Sequence, residues 1–247
     1  QDSPVGRRAF LRGAGGAAVA TAGLAIATGP AAAAHDTVKP EHVTLSFDET
    51  TLERYRPRLV TRHLDVSPSK QYAWLATSPE HDTDAYTYWT WYVTQEGLTD
   101  RDSHYLDREP VYVFVDGESD EIAEVVYSGY HWLAARTRSP TTDVDDHPLF
   151  QVAERYHHYY RTGDDTGELV DLADMDAVFD EWIDNGWEED LEPGAAQNPW
   201  LLASIDSGAS RAHWWRENSL GFSWTAQWMR LWKRLGLRGA DEADAVD

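Results

Sequence analysis

The sequence contains no cysteine and only 2 methionines. A disulfide framework and thiol chemistry are therefore excluded. Two common signatures of catalysis and nucleotide binding, Gly-x-Ser-x-Gly and a glycine-rich phosphate loop, are also missing. Positive charge is scarce, because 21 Lys and Arg face 43 Asp and Glu, for a net charge of -22. Nucleic acid is not an expected partner, since phosphate binding requires a basic face.

Residues 1–34 have the layout of an export signal. Arg7 and Arg8 precede Phe10 and Leu11, then come a mildly apolar run and four alanines that end at Ala34. A charged, an apolar and a small-residue region in this order predict a signal peptide, and the paired arginines favour the twin-arginine route. The alternative is a retained anchor, but the run is short and rich in Gly and Ala. We expect a secreted, extracellular or cell-envelope protein.

The part after residue 34 is more acidic still. The first 34 residues hold three arginines and one aspartate, so 18 basic and 42 acidic residues remain, with a net charge of -24. Such self-repulsion is tolerable where salt shortens the Debye length to about 3 Å at 1 M, which indicates a halophilic protein. An ordinary acidic protein is the alternative. Disorder is not expected, because 12 Trp, 12 Tyr and 6 Phe supply ample material for a core.

Strand-like patterns dominate residues 35–165. Short runs rich in aromatic and β-branched residues cover 72–76, 86–93, 111–115 and 125–130, and are bounded by turn residues. Asp116-Gly117 predicts a hairpin turn, because this pair tolerates positive φ. The spacing predicts a two-sheet antiparallel β-sandwich.

Helical periodicity appears in residues 166–247, which we expect to pack on the same domain. Met175, Val178, Phe179, Trp182 and Ile183 recur at steps of three and four residues. A second such stripe runs from 223 to 237. The predicted fold is therefore mainly β, with peripheral and C-terminal helices.

The densest group of potential ligands is the run from Ser103 to Glu109, just before the predicted strand 111–115. In extended chain Asp107 and Glu109 face the same way, while His104 is free to fold back from the preceding loop. Two carboxylates and an imidazole suit Ca²⁺ or Mg²⁺, or a water used for acid–base chemistry. The alternative is that these carboxylates serve only salt adaptation, as acidic residues are abundant throughout.

The region from Tyr88 to Trp132 resembles the centre of the necrosis- and ethylene-inducing-like (NPP1-type) proteins and of the Vps62-type plant and fungal proteins. That family carries a heptapeptide Gly-His-Arg-His-Asp-Trp-Glu. In the same frame this chain keeps His104, Asp107 and Glu109. Trp91-Tyr92 and Glu96 match the family's upstream Trp-Tyr pair and acidic residue.

Further parts of the resemblance lie downstream. The run from Ser128 to His131 stands where the family has Ser-Ala-His, and His157 or His158 is the counterpart of a later His. The chain departs from the heptapeptide at Ser103, Leu106 and Arg108.

The resemblance implies a sandwich fold with a divalent cation, Ca²⁺ or Mg²⁺. Glu96 and Asp107 would be direct ligands, and His104, Glu109 and a later His would act directly or through water. The full implied set is Glu96, His104, Asp107, Glu109, His131 and His158. A histidine among tyrosines, as at 157–158, is more often packed in a core than a ligand.

Residues 211–238 combine six basic residues with five tryptophans and only one acidic residue. A helix of this composition suits peripheral contact with an anionic membrane. The alternative is that the tryptophans pack on the sandwich and the cations neutralise its acidic surface.

Three functions remain open. The first is a secreted halophilic cation-binding protein that acts by surface or membrane binding, with a lipid headgroup or a cell-surface glycan as partner. The second is a metal-dependent extracellular hydrolase, with Glu109 or His131 as base to a metal-bound water. The third is a cell-envelope interaction protein without a functional metal.

Overall fold

The predicted fold class is confirmed: the protein is mainly β, with two packed sheets and a few short helices. The computed structural model describes residues 39–95, 104–130, 133–184 and 196–203. The export signal 1–34 and the helix predicted at 223–237, within the basic region 211–238, lie outside the described residues, so both stay predictions. No helix in the described part of the chain combines the length and apolarity needed to cross a membrane.

Ten strands and three helices make up the described structure. The strands are β1 Thr44–Ser46, β2 Arg58–Val60, β3 Lys70–Thr77, β4 Thr83–Gln95, β5 His104–Asp116, β6 Ile122–Tyr130, β7 Leu133–Thr137, β8 Leu149–Val152, β9 Tyr159–Arg161 and β10 Leu172–Asp174. The helices are α1 Glu49–Glu53, α2 Asp176–Asp184 and α3 Trp200–Ala203. The four strand runs predicted from the sequence fall within β3, β4, β5 and β6, and the first predicted helical pattern, 175–183, begins one residue before α2.

The larger sheet has seven strands in the order β1-β3-β4-β5-β6-β7, and β10 also pairs with β3. All of its pairings are antiparallel except the parallel one between β10 and β3. The long β4–β5 hairpin is central, so both faces of its strands are covered. This explains why β4 is rich in aromatic residues on alternate positions of both faces.

The smaller sheet, β2-β8-β9, packs against one face of the larger sheet, which we call the inner face. Tyr88, Val111 and Tyr127 of the large sheet meet Phe150 and Tyr159 there, and all five are at most 1% exposed. Burial of apolar area on this scale is the main favourable term in folding. It also places the ends of β8 and β9 beside β4 and β5.

The opposite, outer face of the large sheet is covered by α2 and by residues 196–203. Met175 and Phe179 pack on Trp74, whose indole Nε1 donates to Ala196 O at 3.0 Å. Trp200 donates from Nε1 to Thr83 O at 3.2 Å and to Thr83 Oγ1 at 3.0 Å. The helical periodicity at 175–183 is thus explained by one apolar face lying on the sheet.

The β5–β6 hairpin forms at the predicted place, but its turn chemistry was predicted wrongly. Positive φ occurs at Asp120, where φ is 63°, and not at Gly117. The Asp116 carboxylate accepts hydrogen bonds from the backbone N–H groups of Glu118 and Ser119 and from the Ser119 hydroxyl. The turn is therefore organised by an aspartate side chain over a longer loop.

Candidate functional site

Residues His104–Glu109 lie inside β5 rather than before it, which corrects the sequence-based expectation. His104 pairs with Gln95 as part of the strand, so it does not fold back from a loop. Pairing is interrupted at Leu106, opposite Val93, where φ is 61°. An L residue in this region marks a local irregularity, which is common next to functional sites.

Asp107 and Glu109 share the inner face of the sheet, as expected from their spacing. Asp107 stands opposite Tyr92 and Glu109 opposite Thr90 in the β4–β5 register. Each is only 4% exposed. Two carboxylates removed from water on the same face repel each other and lose hydration, so this arrangement is costly unless a partner compensates it.

One partner of Asp107 is His157. The imidazole Nδ1 lies 2.7 Å from Asp107 Oδ2, and His157 is 2% exposed. Because an ionised carboxylate only accepts, Nδ1 carries the proton and donates. The ring also stacks on Tyr92 at 4.0 Å with an interplanar angle of 11°. The imidazole is thus held in orientation by two independent contacts.

His157 and His158 lie in the turn between β8 and β9, not in a strand as predicted. Residue 157 has φ of 49°, and its N–H donates to Ala153 O at 3.2 Å. Both histidines are 2% exposed, but the one in contact with Asp107 is His157, whereas His158 is the one named for the metal set. Both rings are buried in the turn, whereas along a strand they would point to opposite faces.

Glu109 is the titratable group most altered by this environment. Burial raises the pKa of its carboxyl well above 4.5, and the negative charge of Asp107 raises it further, while the Ser128 side chain acts in the opposite direction. The neutral form is therefore favoured when no additional cation is present.

Buried tyrosines complete the surroundings. Tyr159 is 0% exposed, and its hydroxyl donates to Glu109 O at 3.0 Å. Burial raises the pKa of Tyr159 and of Tyr92, and Asp107 and Glu109, where ionised, raise both further. Both hydroxyls therefore stay protonated, and that of Tyr159 is a neutral donor to the Glu109 backbone.

Arg108 lies on the opposite, outer face. It stands across from Trp91 in the register, and its guanidinium carbon is 4.4 Å from the centroid of the Trp91 ring. Trp91 in turn lies 4.4 Å from Tyr72. Arg108 is 2% exposed, and burial lowers its pKa to about 10, although the Asp107 and Glu181 carboxylates act to raise it.

A small cleft opens beside the pair formed by Asp107 and His157. It has a volume of about 180 Å³ and is lined by Asp65, Val66, Glu154, Arg155 and His157. His63 Nε2 lies 2.7 Å from Val152 O, and this contact ties one wall, the β2–β3 loop, to β8. The cleft therefore lies between two anchored loops that present charged side chains near a buried imidazole.

The sequence-predicted residues are placed as follows. Asp107 and Glu109 lie on the same face of β5. His158 is buried, but it is its neighbour His157 that contacts Asp107. The His104 backbone is in β5, but its side chain, Glu96 and His131 lie outside what the structure describes. Sequence reasoning assigned no role to Tyr159, because only pairing between β8 and β9 brings it over Glu109.

The donors present fit a divalent cation such as Ca²⁺ or Mg²⁺. Both ions prefer carboxylate oxygens, and the positive charge of such an ion would offset the burial and the repulsion by Asp107 that keep Glu109 protonated. Within the described ranges no three His, Asp or Glu side chains are arranged to hold a metal. The pair Asp107 and Glu109 would thus supply two ligands, and the other ligands of the implied set, Glu96, His104 and His131, have side chains outside those ranges.

No family model and no curated protein matches the sequence. Solved structures do match. The NLPPya triple mutant is 16% identical, with a TM-score of 0.50, over 70% of this chain and 98% of that one. NLPPya in complex with glucosamine is 16% identical, with a TM-score of 0.43, over 57% and 81% of the two chains.

A necrosis and ethylene inducing protein from the agent of witches' broom disease of cocoa is 15% identical, with a TM-score of 0.43. That match spans 54% of this chain and 76% of the other. At such identities the similarity concerns the fold alone. The chain has the β-sandwich fold of the necrosis and ethylene inducing proteins.

Proposed function

We propose that this protein binds a divalent cation, Ca²⁺ or Mg²⁺, between Asp107 and Glu109. The observation that carries the proposal is the burial of both carboxylates on one face of β5, with the pKa of Glu109 raised by burial and by Asp107. Ionising both buried carboxylates is costly in the absence of a cation, and cation binding offsets that cost.

In this proposal the bound cation helps the protein to bind a lipid or glycan surface. The cleft lined by Asp65, Glu154 and Arg155 leads to His157 and offers charged groups to a polar ligand. A phosphate-bearing lipid headgroup or a glycan would complete the cation's coordination from the cleft side, since both offer oxygen ligands. The protein would act outside the cell in concentrated salt, after export through the twin-arginine route.

The experiment is a thermal melt of the full chain in molar KCl with Ca²⁺, with Mg²⁺ or with chelator, beside Asp107→Ala. A ligand present at a hundredfold over its dissociation constant adds about 2.7 kcal/mol, a shift of several degrees. The wild type should shift and the variant should not. If both proteins are indifferent to chelator, the carboxylates serve salt adaptation only, and the cation proposal is wrong.

A metal-dependent hydrolase is the second candidate. The hydrogen bond between Asp107 and His157 fixes an imidazole at the edge of the cleft, which is the geometry that acid–base catalysis requires. Sustained, chelator-sensitive turnover of ester, phosphodiester or glycan substrates would favour it. Dye release from lipid vesicles, or retention of glucosamine, without turnover would favour surface binding.

The proposal also includes membrane contact through residues 211–238, and this part rests on the sequence alone. Flotation with anionic vesicles, with and without residues 211–247, tests it. Loss of flotation on truncation supports membrane contact, and unchanged flotation contradicts it.

A further inference from the structure

The two carboxylates of the candidate cation site flank a permanently charged residue. Arg108 lies between Asp107 and Glu109 in β5 and points to the outer face, where its guanidinium is stacked over Trp91 at 4.4 Å. At 2% exposed it is among the largest fully buried side chains. A buried cation is costly, so its retention here requires compensation by nearby negative charge.

Two carboxylates contribute to this compensation. Asp107 and, more weakly, Glu181 of α2 stabilise the charged form of Arg108, against the larger effect of burial. Since interactions between buried charges are weakly screened, Arg108 and Asp107 act on each other through the sheet even though they face opposite sides. Arg108 therefore supplies positive charge to the same carboxylate that the proposed cation needs.

We infer that Arg108 is an internal counter-ion that competes electrostatically with a divalent cation at Asp107 and Glu109, and so sets the affinity of the site. This inference rests on the proposed cation function. It assigns to Arg108 a role in setting affinity without contact with the ion. A site weakened in this way responds to high concentrations of Ca²⁺ or Mg²⁺ and stays empty of trace ions.

Arg108 could act on the cation site through its packing on Trp91 or through its charge, and the two possibilities predict different Ca²⁺ affinities for its variants. If Arg108 acts only by packing on Trp91, its shape matters and its charge does not. If it acts by charge, Arg108→Lys should behave like the wild type, whereas Arg108→Met and Arg108→Gln should resemble each other. The pair of neutral variants differs in polarity, so a packing defect in one would not be reproduced in the other.

The test is calorimetric titration of CaCl₂ into the full chain after chelator treatment, at low salt and in molar KCl. Arg108→Met and Arg108→Gln should bind Ca²⁺ about tenfold more tightly than the wild type, from removal of a like charge near the ion. Arg108→Lys should stay close to the wild type. Arg138→Met, whose side chain is 74% exposed in the wild type, controls for net charge. The effect of Arg138→Met on Ca²⁺ affinity should vanish in molar KCl, whereas the effect of Arg108→Met should persist.

The outcomes separate the two proposals. If Asp107→Asn abolishes binding and both neutral Arg108 variants bind no tighter than the wild type, the cation site stands and the counter-ion role is wrong. If the wild type and Asp107→Asn bind Ca²⁺ equally or not at all, the cation site is wrong and the counter-ion role falls with it.

Discussion

His157 Nδ1 donates a hydrogen bond of 2.7 Å to Asp107 Oδ2 between residues 50 positions apart in the sequence, and both side chains are almost fully buried. The bond joins the turn between β8 and β9 to the central strand β5. It therefore links the two sheets of the sandwich at the point where the candidate cation site lies.

Replacing His157 by Phe should destabilise the protein by about 1–3 kcal/mol, because the stack on Tyr92 is kept while buried Asp107 loses its donor. Urea unfolding in chelator measures the change. His63→Phe is the control, since the His63 ring is exposed and bonded to the backbone of Val152. Equal destabilisation by the two variants would contradict a special role for the bond between His157 and Asp107.

Glu109→Gln should change how stability depends on pH. The folded pKa of Glu109 is raised above 4.5, so its contribution is complete below that pH and is lost as the pH rises through the folded value. The introduced glutamine does not ionise, so the variant does not lose stability in this way. The free energy of unfolding of Glu109→Gln, relative to that of the wild type, should therefore increase from acidic to mildly alkaline pH. Urea unfolding across this range, in chelator, with exposed Glu154→Gln as control, measures it. A constant difference between Glu109→Gln and wild type would refute the assignment.

The sequence predicted the strands of the large sheet because their apolar residues alternate over uninterrupted runs. It underestimated β5, whose first half carries Asp107, Arg108 and Glu109, because charged residues in a buried strand look like a loop. The positive φ values at Asp120 and His157 were not predictable, since neither residue is glycine. The contact between Asp107 and His157 depends on how the two sheets pack, which local periodicity does not encode.

Gly167→Ala should destabilise the fold where Gly163→Ala does not. A Cβ on Gly167 would lie 2.7 Å from the carbonyl carbon of Leu59 and 2.8 Å from its oxygen, whereas a Cβ on Gly163 meets nothing within 4 Å. Overpacking against backbone typically costs about 1–3 kcal/mol. Thermal unfolding of the two variants side by side tests this. A similar melting temperature for both would show that the backbone of β2 yields at this point.

Trp200→Phe should loosen residues 196–203 from the outer face of the sheet. The variant keeps an aromatic ring against His81, which stacks on Trp200 at 4.3 Å, but it loses the donor to Thr83. We expect a cost of about 0.5–1.5 kcal/mol. Hydrogen exchange by mass spectrometry should show faster exchange at 196–203 with no change in β8 and β9. Unchanged exchange at 196–203 would mean that other contacts, such as Arg136 with Leu202 O, hold the segment.

Cation binding between Asp107 and Glu109 can be observed in a crystal structure of the full chain grown with Mn²⁺, with data collected at a wavelength where manganese scatters anomalously. We expect an anomalous peak within bonding distance of carboxylate oxygens of both Asp107 and Glu109, absent from crystals of Asp107→Asn. A structure with no peak there, or with a peak bound elsewhere and the bond between Asp107 and His157 unchanged, would contradict it.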